Sequence, residues 1–276
     1  MGICKYCGKS AGIFRSEHGH CKSLHDQGVY QIITEILGSI WGTKSLDVLE
    51  NSIAAIERSS LVPSTEREAL LVIAFGKAVE EFIEDGTLDA AKEKRLVEFK
   101  KRFALTDEEL DISGALTRMV KIATLREIMG GKIPDRVKVN VNLPINFQKG
   151  EQIVWVFADS KYLEDKTYRH YVGRSRGVSV RIVKGVYYRT GAFQGRRIDE
   201  IERVYVDTGW MVVTSKNIYF AGPRKSIRLP YTKIVSFEPF SDGIGIIRDA
   251  ATAKPQIFIT GDGWFTYNLI TNLCRL

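Results

Sequence analysis

Gly209-Trp-Met-Val-Val-Thr-Ser-Lys-Asn-Ile-Tyr-Phe220, followed by Arg224-Lys-Ser-Ile-Arg-Leu-Pro-Tyr-Thr-Lys-Ile-Val-Ser-Phe-Glu238, decides how the second half of the chain is read. Segments of four or five residues rich in β-formers alternate with polar turn residues and are too short for helices. The same pattern extends both ways. Upstream, Val137, Val139 and Val141 alternate with polar residues, and 153–157 and 178–183 read as strands. Downstream, 245–247 and 256–259 do so too, and residues 263–273 close the chain as an amphipathic helix. Many short antiparallel strands ending in one helix predict a partly open antiparallel β-barrel capped by that helix.

Between about Gly28 and Gly131 the period is helical. Val29, Ile32, Ile33, Ile36, Leu37 and Ile40 form one apolar stripe. After a break at Gly42-Thr43, Leu46, Leu49, Ile53 and Ile56 continue it. Thr65 with Glu68 reads as a capping box opening a helix over 69–83, and Thr106 with Glu109 as a second, opening a helix to about Met129. The segment around Asp85-Gly86 fails as a calcium loop. With Gly86 at the sixth position, Ile83 and Lys92 stand where carboxylates belong. The helix–turn–helix that remains resembles TerB-like bundles.

The N-terminus carries Cys4-Lys-Tyr-Cys7-Gly-Lys, a knuckle in which two thiolates grip one ion from a tight turn. His18 and Cys21, at i and i+3 on a first helical turn, complete a Cys3His set. His25, at i+4 from Cys21, is the alternative fourth ligand, and His20 lies between. Four protein ligands of this kind predict structural Zn2+. A knuckle followed by a ligand-bearing helix resembles a treble-clef finger.

The 209–238 stretch also resembles the GRAM and bacterial PH-like domains, in which a strand ends in a Thr-Ser-Lys-type turn and leads into a hydrophobic-aromatic-Phe run. The likeness is clear over about 200–273 and rests on strand count over 150–200. It implies a barrel of the kind that binds phosphoinositides, peptides or nothing detectable. The chain is thus expected to be an α+β multidomain protein. Its parts would be a zinc finger (1–27), a helical bundle (28–133) and a PH/GRAM-like β-barrel domain (137–276).

Charge is unevenly spread over the 276 residues. Residues 137–276 hold 21 Lys/Arg against 12 Asp/Glu, whereas 1–136 hold 19 against 21. Nine basic residues, among them Arg169, Arg174, Arg176, Arg181 and Arg189, fall between Lys166 and Arg197 without an acidic one. Tyr168 and Tyr171 are interleaved with them. Arginine forks match phosphate oxygens, and exposed aromatics stack on bases.

Nothing resembles a P-loop or a nucleophile elbow, and His170 is the one histidine outside the finger. Gly243-Ile-Gly245 has too few glycines for a dinucleotide fingerprint, and Asp242, Asp249 and Asp262 stand where turns expect aspartate. With cysteines clustered beside histidines and no long apolar segment, the sequence predicts a cytoplasmic, non-enzymatic adaptor. Its PH-like domain would dock a protein partner or an anionic surface. The competing expectation is a nucleic-acid-binding protein that uses the finger and the 166–197 segment together.

Overall fold

The computed structural model describes residues 2–84, 88–139, 142–183, 186–250 and 254–276, with the backbone alone over 167–183 and 186–201. It is a mixed α+β chain forming two compact units, Met1–Glu127 and Ile128–Leu276. Among the described residues no helix is long and apolar enough to cross a membrane.

The first unit begins with a two-stranded antiparallel sheet, β1 (Gly2–Ile3) against β2 (Ser10–Gly12). Helix α1 (Gly19–Trp41) follows and runs unbroken past Gly28. It carries the expected stripe, and Ile32, Ile36 and Ile40 are fully buried. Helices α2 (Leu49–Ser60), α3 (Arg67–Glu84), α4 (Ala90–Arg102), α5 (Asp107–Asp111) and α6 (Ala115–Met129) complete the helical part. Phe75, Leu96 and Phe99 sit with the α1 stripe in one core.

Two helix starts differ from expectation. A 3-10 turn (Ser64–Glu66), led by Pro63, runs directly into α3, so the helix opens before Ala69 and without the Thr65–Glu68 box. With Pro63 at the N-cap position, Thr65 falls inside the first turn, where its side chain cannot cap the helix. The second box does form: Thr106 Oγ1 accepts from the Glu109 N–H (3.2 Å), and Glu109 Oε2 accepts from the Thr106 N–H (2.7 Å). It opens only the short α5. Gly114, at φ +72°, breaks the run, and Asp111 then accepts from the Thr117 N–H (2.7 Å) near the start of α6.

The second unit is one antiparallel sheet in the order β6-β5-β4-β3-β9-β8-β7. Its strands are β3 (Ile153–Val183), β4 (Val186–Thr214), β5 (Asn217–Ala221), β6 (Ser226–Pro230), β7 (Ile234–Pro239), β8 (Gly243–Arg248) and β9 (Gln256–Ile259). Helix α7 (Gly263–Leu273) follows over the expected residues. The anticipated barrel is not closed: β6 and β7 are the two ends of the ladder among the described residues. Residues 137 and 139 lie outside any strand, and Val141 lies outside the described residues.

The strands expected separately at 153–157 and 178–183 are parts of one 31-residue strand, β3. It pairs with β9 only over 161–164, and β4 pairs with β5 only over 210–213. From Asp165 opposite Arg203 to Val183 opposite Val186, the two strands pair with each other as a two-stranded ribbon. Helix α7 packs its Phe265 ring against Trp155 of β3 (4.7 Å between centroids) and its Tyr267 ring near Phe237 of β7 (6.4 Å). Asp262 caps it, its Oδ1 accepting from the Phe265 N–H (3.0 Å), which gives that aspartate a structural role.

Candidate metal centre

Four donor atoms from Cys4, Cys7, His18 and Cys21 lie within 4.8 Å of one another, the one Cys/His cluster of this kind among the described residues. The backbone builds it in two pieces. In the knuckle, Cys4 O accepts from the Gly8 N–H (2.9 Å) and the Cys4 N–H donates to Lys9 O (2.8 Å). This hairpin-like turn needs the left-handed φ of +69° that Gly8 supplies. The second piece is the start of α1, where His18 is the N-cap residue and Cys21 follows within the first turn.

The distances fit coordination. His18 Nδ1 lies 3.4 Å from Cys7 Sγ and 3.6 Å from Cys21 Sγ, facing both sulfurs at once. A tetrahedral ion held about 2.3 Å from sulfur and about 2.0–2.1 Å from nitrogen has S···N edges of roughly 3.6 Å. The other ring nitrogen fixes the tautomer: His18 Nε2 lies 3.0 Å from Ser10 O, so an Nε2–H donates there and the Nδ1 lone pair faces the sulfurs.

Electrostatics point the same way. Burial opposes ionisation of Cys4, which is 1% exposed, but the backbone N–H groups of Cys7, His18 and Tyr6 outweigh it and hold the thiol at about 6. Cys21 is pushed up to about 11, first by burial and then by the neighbouring Cys7 and Cys4 sulfurs. Three sulfurs this close oppose one another's ionisation until a cation sits among them. The donor set fits a metal ion.

His25 does not join it. Its Nε2 lies 3.0 Å from Glu66 Oε2, its Nδ1 3.3 Å from Asp26 Oδ1, and the Tyr6 ring lies 4.6 Å from its own. It borders a cleft of about 520 Å³ with Lys5, Tyr6, Leu61, Val62, Pro63 and Glu66. The i+4 spacing from Cys21 made it an alternative ligand in sequence, and no local signal announced Glu66, 41 residues away. His20 is exposed. Exchanging the two histidines separates their roles. His18→Ala is expected to lower metal occupancy severalfold, whereas His25→Ala leaves one metal per chain and loosens only the contact with Glu66. Elemental analysis after gel filtration is the measurement.

Of the other candidate residues, the side chains of Arg169, Arg174, Arg176, Arg181, Arg189, Tyr168 and Tyr171 lie outside the described residues. Their backbone belongs to the β3–β4 ribbon, with Arg174 opposite Gln194 and Arg176 opposite Ala192. Sequence reading also missed Asp207, a buried carboxylate that accepts from the Arg224 (2.7 Å), Lys225 (2.8 Å) and Thr208 (3.0 Å) N–H groups. It fastens the β5–β6 turn to β4. No protein-family model matches the chain, and no curated protein matches it.

Proposed function

We propose that this chain is a non-enzymatic binding protein in which a structural Zn2+ holds the N-terminal finger and a PH/GRAM-like β unit docks an anionic surface through the β3–β4 ribbon. The carrying observation is the ribbon itself. Its strands are 31 and 29 residues long, against about 5–6 for an ordinary strand. Beyond residue 164 they pair only with each other among the described residues; Asp165, Asp199, Glu200 and Glu202 lie at the sheet end of this ribbon, and the sequence 166–197 holds nine cations and no carboxylate. A cation-rich strand pair that runs on past the rest of the sheet is best accounted for by an external polyanion.

Zinc is favoured because three thiolates and one imidazole close all four positions of a tetrahedron and leave no site for substrate. Antiparallel strands followed by a terminal helix that packs back on them support the PH/GRAM-like reading, while the sheet is not closed into the barrel that the resemblance implies. The helical part is assigned, on the TerB-like resemblance, as a scaffold between finger and sheet.

The test is Arg174→Gln, Arg176→Gln and Arg181→Gln together. Each cation near an anionic surface contributes about 1 kcal/mol. The triple variant should therefore bind heparin and phosphatidylserine vesicles roughly 100-fold more weakly, with an unchanged circular dichroism spectrum. Wild-type binding by the variant would overturn the reading. Selective binding of single-stranded nucleic acid, lost on Tyr168→Ala or Tyr171→Ala, would replace it with the nucleic-acid alternative.

A further inference from the structure

The finger exposes three large apolar side chains within its first fourteen residues: Ile3 at 68%, Ile13 at 71% and Phe14 at 103% of full accessibility. Backbone contacts bring the segment carrying Ile13 and Phe14 beside the strand carrying Ile3. Gly2 pairs with Gly12, and the backbone of Arg15 passes so close that a Cβ on Gly2 would lie 1.9 Å from its carbonyl oxygen. The Lys5 N–H donates to Ser16 O (2.9 Å), which ties the loop further to the strand bearing Ile3. Residues 13–15 are thereby folded beside β1.

Phe14 is also at φ +64°. A bulky side chain rarely adopts the left-handed region, where asparagine or glycine is at ease. At this position phenylalanine is unfavourable to the isolated protein twice over, once in backbone strain and once in exposed ring. Strain of this kind is retained where a ligand offsets it.

Charge indicates which ligand does so. Lys5 is paired with Glu17 (3.0 Å) and Lys22 with Asp26 (2.9 Å), and the two other cations of the finger, Lys9 and Arg15, are exposed on either side of the apolar loop in sequence. An apolar tip flanked by cations matches the boundary of an anionic bilayer, where rings enter the acyl region and cations stay at the headgroups. An exposed apolar loop flanked by cations is suited to entering a soft layer.

We infer that the metal-held tip formed by Ile3, Ile13 and Phe14 inserts into anionic lipid membranes, with Lys9 and Arg15 at the headgroups. This rests on the anionic-surface reading above and names that surface as a lipid bilayer, while resting on different residues from the ribbon.

The experiment uses the full-length, metal-loaded chain and vesicles of phosphatidylcholine with and without phosphatidylserine. Ile13→Ser with Phe14→Asn is expected to weaken partition into the anionic vesicles by roughly tenfold or more, the loss set by removing two large apolar side chains from the acyl region. Asparagine suits φ +64° better than phenylalanine does, so metal content and thermal stability should hold or rise. In a second variant, Phe14→Trp, brominated acyl chains should quench the added indole beyond the quenching of the parent.

Two results would overturn the inference: unchanged partition of the double variant (Ile13→Ser, Phe14→Asn), or an indole at position 14 that the bromolipids leave unquenched. If the ribbon variant loses heparin and vesicle binding while the indole stays unquenched, the anionic-surface reading stands and tip insertion falls. If the indole is quenched but the ribbon variant binds as wild type does, insertion stands and the ribbon assignment falls.

Discussion

Cys7→Ser is expected to empty the metal site and unfold residues 2–18, while the sheet of the second unit stays intact. Within those residues only Cys4 and Ala11 are buried apolar groups. So small a core cannot offset the conformational entropy of ordering the segment. On the structural-metal reading proposed above, coordination supplies the difference, since structural zinc sites contribute about 10–16 kcal/mol in zinc-finger peptides. Serine keeps the size of the side chain but removes the thiolate, leaving Cys4, His18 and Cys21 as three ligands of an open site.

The expected readouts are a metal-to-protein ratio falling from about one toward zero and new protease cleavage within residues 2–18. Helix α1 should survive beyond its first turns, because Ile32, Ile36 and Ile40 are held by the helical core and not by the metal. A variant that keeps its metal and resists protease as wild type does would show that the finger folds by other means. Chelation of the wild-type chain should reproduce the same cleavage pattern.

The parts legible in the sequence were those set by short-range chemistry. The knuckle could be read because a C-x-x-C pair needs only a turn, and the His18–Cys21 spacing needs only one turn of helix. The Thr106–Glu109 box and the 263–273 helix were legible for the same reason: a cap and a period of about 3.6 are local. The Thr65–Glu68 box carried an equally good pattern, but Pro63 two residues earlier takes the N-cap position and leaves Thr65 inside the first turn.

Long-range features were not legible. Strand ends are set by which neighbour is available to pair, so 153–157 and 178–183 read as two strands. The segment between them is rich in glycine and charge, which ordinarily marks turns. Whether a sheet closes depends on how its first and last strands meet, and alternation records only which residues face inward. Val137 and Val139 alternate correctly and still find no partner strand among the described residues. Asp207 looked like any surface aspartate, since its three donors come from its own neighbour and from residues 17 and 18 positions on.

Phe258→Ala is expected to cost the second unit about 3–5 kcal/mol, the usual loss on deleting a buried phenyl ring. Phe258 is fully buried, and its ring lies 5.2 Å from Tyr162 of β3 and 5.9 Å from Phe220 of β5. Its strand, β9, has four residues and is the only link in the ladder between β3 and β8 among the described residues. Four residues of pairing are weak alone, so the side chains must hold the β7–β8–β9 meander to the rest of the sheet. A loss of this size is a large share of the roughly 5–15 kcal/mol that stabilises a domain. For a unit near 150 residues it corresponds to a fall in melting temperature of roughly 6–20 °C. Thermal unfolding followed by tyrosine and tryptophan fluorescence would measure it, since all four tryptophans but Trp41 lie in the second unit. Phe258→Leu, which keeps most of the volume, should cost less than about half as much. Equal losses from leucine and alanine would mean that the ring's shape against Tyr162 and Phe220, and not the space it fills, holds the two meanders together.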